Sequence, residues 1–195
     1  MEESTRFALA VAVVALVSTS LFAAEPVLDQ SAPADPTAAF TWALGGATNQ
    51  FLAQTLTVGI GGRLAEIRVP IGCGSGTVIA EIRDVDAGTG EPGTTVLVRR
   101  NYRADFFPEV VSETFQPLRL GGRARVSVGD RVAIVLSNPT GSCGVQPGPG
   151  GDPYAGGTGF SSDDLAPGVW VPLSIGAGST DDLPFQTYVR VTGKP

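Results

Sequence analysis

The chain contains no histidine. That excludes a Ser-His-Asp triad, a Cys-His pair and a histidine-ligated metal. Charged residues make up only 16 % and aromatics 7 %, so neither a highly charged surface nor a dense aromatic platform is available. Lys and Arg number 13 against 19 Asp and Glu, for a net charge of −6. As a whole the chain is therefore a poor partner for nucleic acid. Neither Gly nor Pro occurs before Pro26, but the chain carries 26 Gly and 15 Pro in all. Both residues weaken helix interiors, which argues against a helical bundle. What remains is a chain of short strands and turns, long enough for one domain with one core.

Residues 7–24 read FALAVAVVALVSTSLFAA, an apolar run ending in small side chains. This predicts a secretory signal peptide over 1–24. Glu2 and Glu3 outnumber Arg6 ahead of it, which leaves an uncleaved anchor as the alternative. No later stretch is long and apolar enough to cross a bilayer as a helix. Export agrees with the cysteine count: Cys73 and Cys143 are the only two. In an oxidising compartment they are expected to form one disulfide, with two free buried thiols as the alternative. The expected location is secreted, extracellular or cell-surface.

Residues 25–46 are rich in Ala, Pro, Asp and Thr and have no sustained period, so they are expected to be a tether or a loosely docked lead-in. Residues 47–195 are expected to be the folded domain. Residues 64–71 alternate, with Ala65, Ile67, Val69 and Ile71 opposing Glu66 and Arg68. Residues 77–83 repeat the alternation with Val78, Ala80 and Ile82 inward. The run RVAIVL at 131–136 is apolar on both faces, as a central strand of a sandwich requires. Further strands are expected at 51–58, 95–100, 114–120, 169–173 and 185–191. About eight or nine strands in one domain predict an all-β, antiparallel β-sandwich of jelly-roll-like type.

The segment AQTLTVG at 53–59 leads through Gly62 into residues 64–69. Then come EIRDV with Gly90 and PGT, GDRVAIVL at 129–136, and DLPFQTYV at 182–189. Together these strand and turn signatures, over about residues 50–190, resemble the small secreted bacterial β-sandwich domains of jelly-roll or galactose-binding-like type. The resemblance implies a non-catalytic extracellular module that binds carbohydrate or another surface component. It supplies no catalytic residues, so the chain is not expected to be an enzyme.

Three constellations could carry chemistry. Asp84, Asp86 and Glu91 in DVDAGTGE could turn oxygens toward one calcium ion, or simply cap backbone N–H groups in a hairpin turn. Tyr154, Phe160 and Trp170 could stack on sugar rings, while Asp or Arg side chains bind hydroxyls; the same rings would also serve a core. Asp163-Asp164 with Asp181-Asp182 could supply an acid and a base for a hydrolase, or a solvated face. The Gly-rich loop at 141–159 has no Lys and no expected helix after it, so a phosphate cradle is not expected. Arginines 99, 100, 103, 119, 123 and 125 could meet an anionic polymer, or pair with Glu109 and Glu113. The leading expectation is a glycan-binding module without a cofactor beyond a structural calcium. The alternatives are a purely structural or adhesive surface protein and, more distantly, an Asp/Glu hydrolase.

Overall fold

The computed structural model describes residues 25–166, 168–174 and 181–191. The expected signal peptide lies outside the described residues. The fold is all-β, with thirteen strands in three antiparallel sheets and no α-helix among the described residues. The strands are β1 (Val27–Ala32), β2 (Trp42–Gly45), β3 (Phe51–Thr57), β4 (Gly62–Val69), β5 (Ile71–Cys73), β6 (Thr77–Val85) and β7 (Pro92–Arg103). They continue as β8 (Gln116–Val126), β9 (Arg131–Ser137), β10 (Ser142–Val145), β11 (Gly159–Ser162), β12 (Val171–Pro172) and β13 (Phe185–Arg190). A four-stranded sheet runs β1-β13-β4-β8, and a six-stranded sheet runs β12-β11-β3-β9-β6-β7. A three-stranded sheet, β2-β10-β5, completes the fold. The expected eight or nine strands become thirteen because several pair over only two to four residues.

Alternation builds the core. Val78, Ala80 and Ile82 of β6 are buried together with Ile67 and Val69 of β4 and Leu118 and Leu120 of β8. Val132, Ile134 and Leu136 join them from β9, which lies between β3 and β6 as its apolar run requires. In β4 the expected phase slips: Leu64 enters the core while Ala65 falls in a bulge opposite β8. Leu64 pairs with Ala124 but Glu66 pairs with Arg119, so β8 carries the extra residues. Gly121 (φ 75°) and Gly122 (φ 62°) lie within that bulge. Glycine adopts this left-handed backbone without a Cβ penalty. The strand expected to end at residue 120 instead bends at these glycines and runs on to Val126.

Segment 25–46 is not a loose tether. Its residues form β1 and β2, and β1 pairs along β13 from Val27↔Val189 to Ala32↔Phe185. Ala32 and Leu44 are fully buried. The ring of Trp42 packs on the core and meets Phe40 edge-on at 5.4 Å. The local composition hid partners that lie more than a hundred residues away.

The expected disulfide is present: Cys73 and Cys143 are bonded. The register of β10 against β5 sets the two residues directly opposite. Buried Asn138 braces the junction, donating to the Ser75 carbonyl (2.8 Å) and the Cys143 sulfur (3.2 Å) and accepting from Thr77 N (3.0 Å).

Candidate functional site

Part of the outer face of the six-stranded sheet is apolar as well. Register places Phe160 of β11, Ala53 of β3, Val135 of β9, Glu81 of β6 and Arg99 of β7 in one row across it. Directly opposite residues share a face, so all five project away from the main core. Ala53, Ala133, Val135 and Phe160 form a second buried cluster, and Phe51, Val85 and Trp170 pack on it. One end of this face is thus a hydrophobic floor, and the other end is charged.

The charged end is organised around Glu81, which is only 5 % exposed. Arg83 Nε donates to its Oε2 at 2.7 Å, and Arg99 approaches its other oxygen at 3.3 Å. Two guanidinium groups therefore compensate one buried carboxylate, and Arg83 is oriented by it.

Between floor and charges lies a cleft of about 270 Å³, lined by Phe51, Arg83, Gly93, Thr94, Asp164 and Trp170, with Pro92, Ser162, Asp163 and Gly168 completing the wall. Residues 162–164, 168 and 170 form one rim. Asp163 Oδ1 accepts from Leu165 N (3.0 Å) and Ala166 N (3.2 Å), holding a turn. Asp164 N donates to the Thr48 carbonyl, and Asn49 Nδ2 donates to the Asp164 carboxylate at 3.3 Å. The opposite rim is the start of β7. There Asp84 accepts from Thr95 N at 2.9 Å, and a Cβ at Gly93 would stand 2.2 Å from Asp84 Oδ1. Only glycine permits that approach. A wider depression of about 480 Å³ beside the disulfide has one lining ring, Phe107, which is buried in the main core.

The residues expected to bind sugar do not form one group. Trp170 is half-buried and lines the cleft. Phe160 lies in the cluster beneath it. Tyr154 is in the main core, edge-on to Phe185 at 5.1 Å, with its hydroxyl accepting from Thr57 N at 3.1 Å. Its ring has no open face for a ligand. Phe51 and Arg83 were missed, since Arg83 reads as an ordinary solvent-side position of an alternating strand.

The calcium reading is corrected. Asp86 Oδ1 accepts from Gly88 N and Thr89 N, both at 2.8 Å, and Asp84 is committed to Thr95. Among the described residues no three acidic or cysteine side chains are grouped to hold a metal. The two backbone donors hold the Asp86 carboxyl below its ordinary range, as a turn cap does. Millimolar Ca²⁺ is therefore expected to leave the melting temperature unchanged; a rise that Asp86→Ala abolishes would contradict this.

The paired acids do separate work. Asp163 and Asp164 shape the cleft rim, as above. Asp181 and Asp182 are buried: Asp181 Oδ1 accepts from Gly151 N (2.9 Å), while Asp182 accepts from Gln54 Nε2 (2.8 Å) and Tyr154 N (2.9 Å). They fasten the Gly-rich loop to β3. Burial pushes the Asp182 carboxyl up to about 6, opposed by its Gln54 and Tyr154 donors and assisted by neighbouring Asp152. The expected pairing of arginines with Glu109 and Glu113 is also replaced: the ion pairs run to Glu81, Asp105 and Glu66.

The chain matches no protein-family model and no curated protein sequence. No helix among the described residues is long and apolar enough to cross a membrane.

Proposed function

We propose that this protein is a non-catalytic, exported or cell-surface module whose cleft on the six-stranded sheet binds a sugar residue of an extracellular glycan. The observation that carries this reading is the convergence of Trp170, Phe51 and the Glu81-braced Arg83 on one cleft. An indole and a phenyl ring offer faces to sugar C–H groups, while Arg83, Thr94, Ser162 and Asp164 offer donors and acceptors to hydroxyls. At about 270 Å³ the cleft is at the small end of ligand pockets, which suits one ring better than a long segment. Export is supported by the apolar N-terminal run and by the disulfide, which cytosolic thiol pools would reduce.

The test is a glycan array probed with the disulfide-intact chain, followed by titration of the best neutral glycan. Trp170→Ala is expected to weaken binding at least about ten-fold while the protein still melts cooperatively, since stacked aromatics dominate such sites. Binding to no glycan, or unchanged binding by a folded Trp170→Ala variant, would overturn the proposal.

A further inference from the structure

The four-stranded sheet carries a different surface, on the far side of the core from the cleft. Its inward residues are Leu64, Ile67, Leu118, Leu120, Phe185 and Val189. Register fixes what faces out. Arg190 of β13, Arg63 of β4 and Arg125 of β8 stand abreast in one row. The next row holds Tyr188, Glu66 and Arg119, and the one after it Gln186, Arg68 and Pro117. Arg123 projects to the same side, because the exposed residues of β8 alternate through 119, 121, 123 and 125.

The charge balance of this strip is opposite to that of the chain. Within the rows the single carboxylate is Glu66, and it is already shared by Arg68 and Arg119. Glu25 lies at the rim, where Arg119 and Arg190 meet Gly121 and Gly122 in a shallow depression. Arg68 is held over the Tyr188 ring at 4.3 Å, so its guanidinium is fixed on the strip. Arg63 is steadied by a bond from Nη1 to the Gly122 carbonyl at 3.2 Å.

Like charges directly opposite on neighbouring strands destabilise a sheet. Arg63 and Arg125, directly opposite on β4 and β8, therefore work against the fold, in a protein whose net charge is −6. An anion laid along the row removes that repulsion. Guanidinium forks match carboxylate and sulfate groups bidentately. The row spans three strands, about 10 Å at ordinary strand spacing, which is the width of a single polymer chain. A bilayer or a nucleic-acid duplex is much broader and would also meet the acidic remainder of the surface, which is screened only beyond about 8 Å at physiological salt.

We propose that this arginine strip docks a linear acidic polysaccharide, with its carboxylate or sulfate groups received by Arg63, Arg119 and Arg125. The strip is independent of the cleft, so the module could hold a neutral sugar on one face and an acidic chain on the other.

The experiment titrates the disulfide-intact chain with polygalacturonate and with heparin, as uronate and sulfate probes. Neutral dextran, anionic phosphatidylglycerol vesicles and duplex DNA serve as comparisons. Binding to at least one acidic polysaccharide is expected, and it should weaken as salt is raised. Arg63→Gln with Arg125→Gln is expected to weaken it about ten-fold and, without polymer, to melt at the same or a higher temperature, because the repelling row is relieved. Arg119→Gln with Arg125→Gln, both at exposed positions, gives a second variant if the first folds poorly. Trp170→Ala should bind the acidic probe as the unaltered protein does, which separates this proposal from the cleft. Absence of binding at low salt, wild-type binding by the folded arginine variants, or equal or tighter binding of vesicles or DNA would overturn it.

Discussion

Replacing both bonded cysteines, Cys73→Ser with Cys143→Ser, is expected to destabilise the protein by about 4 kcal/mol. The bridge spans a sequence separation of 70 residues, and in the chain-entropy treatment a loop of that size contributes about that amount by restricting the unfolded chain. The loop contains β6, β7, β8 and β9, so the restraint falls on strands of both large sheets. The local cost is added to this: Asn138 loses its sulfur acceptor, and β5, only three residues long, is held against β10 by backbone pairing alone. Urea unfolding of the serine variant should show a lower midpoint and a steeper slope, because the unbridged unfolded chain is more expanded. The unaltered chain in excess reductant should behave in the same way. A loss below about 1 kcal/mol would mean that the three-stranded sheet holds itself together and the bridge is incidental.

Asp182→Ala is expected to cost about 2 kcal/mol, because it leaves the buried Tyr154 N without an acceptor and takes from Gln54 Nε2 the closer of its two acceptors, leaving the Thr55 carbonyl at 3.1 Å. Gln54 is fully buried, and its other end accepts from Leu183 N at 2.7 Å, so it cannot swing out to water without a further loss. The same carboxyl makes stability depend on pH. It titrates near 6 in the fold and near 3.8 in the open chain, so between those values the folded form holds a proton that the unfolded form has released. Its contribution is fully present below about pH 3.8 and disappears as pH rises through about 6, a change on the order of 3 kcal/mol. Unfolding midpoints measured from pH 4 to 7 should fall with pH from this group, and Asp182→Asn should flatten that part of the profile. A midpoint that rises steadily over the range in the unaltered protein, with the same curve in Asp182→Asn, would contradict the assignment.

The strands that could be read from sequence were those whose pattern is decided by burial alone. β6 shows one buried face and β9 two, and each residue type follows from that. What could not be read depended on distant partners. β1 looks like a linker until β13 is laid beside it, with Gln30 N donating to Thr187 Oγ1 across 157 residues. Gly121-Gly122 has the composition of a stop, yet pairing with β4 on both sides turns it into a bulge. Trp170 stood out in the sequence as an aromatic near a loop. Arg83 did not, since its role depends on Glu81 being covered and on residues 162–164, 168 and 170 meeting it at the cleft. Of the arginines visible as a cluster between 99 and 125, Arg119, Arg123 and Arg125 belong to the far strip while Arg99, Arg100 and Arg103 lie on β7, and Arg63, Arg68 and Arg190 join the strip only through register.

The pairing of β1 with β13 has a kinetic consequence. The earliest strand of the described chain finds its neighbour in the latest, so the four-stranded sheet cannot close progressively behind an emerging polypeptide. Until residues 185–190 arrive, one edge of β4 lacks its partner and stays exposed to self-association. Maturation should therefore be slow and late, and dilution or a holding chaperone should raise its yield more than a faster supply of chains.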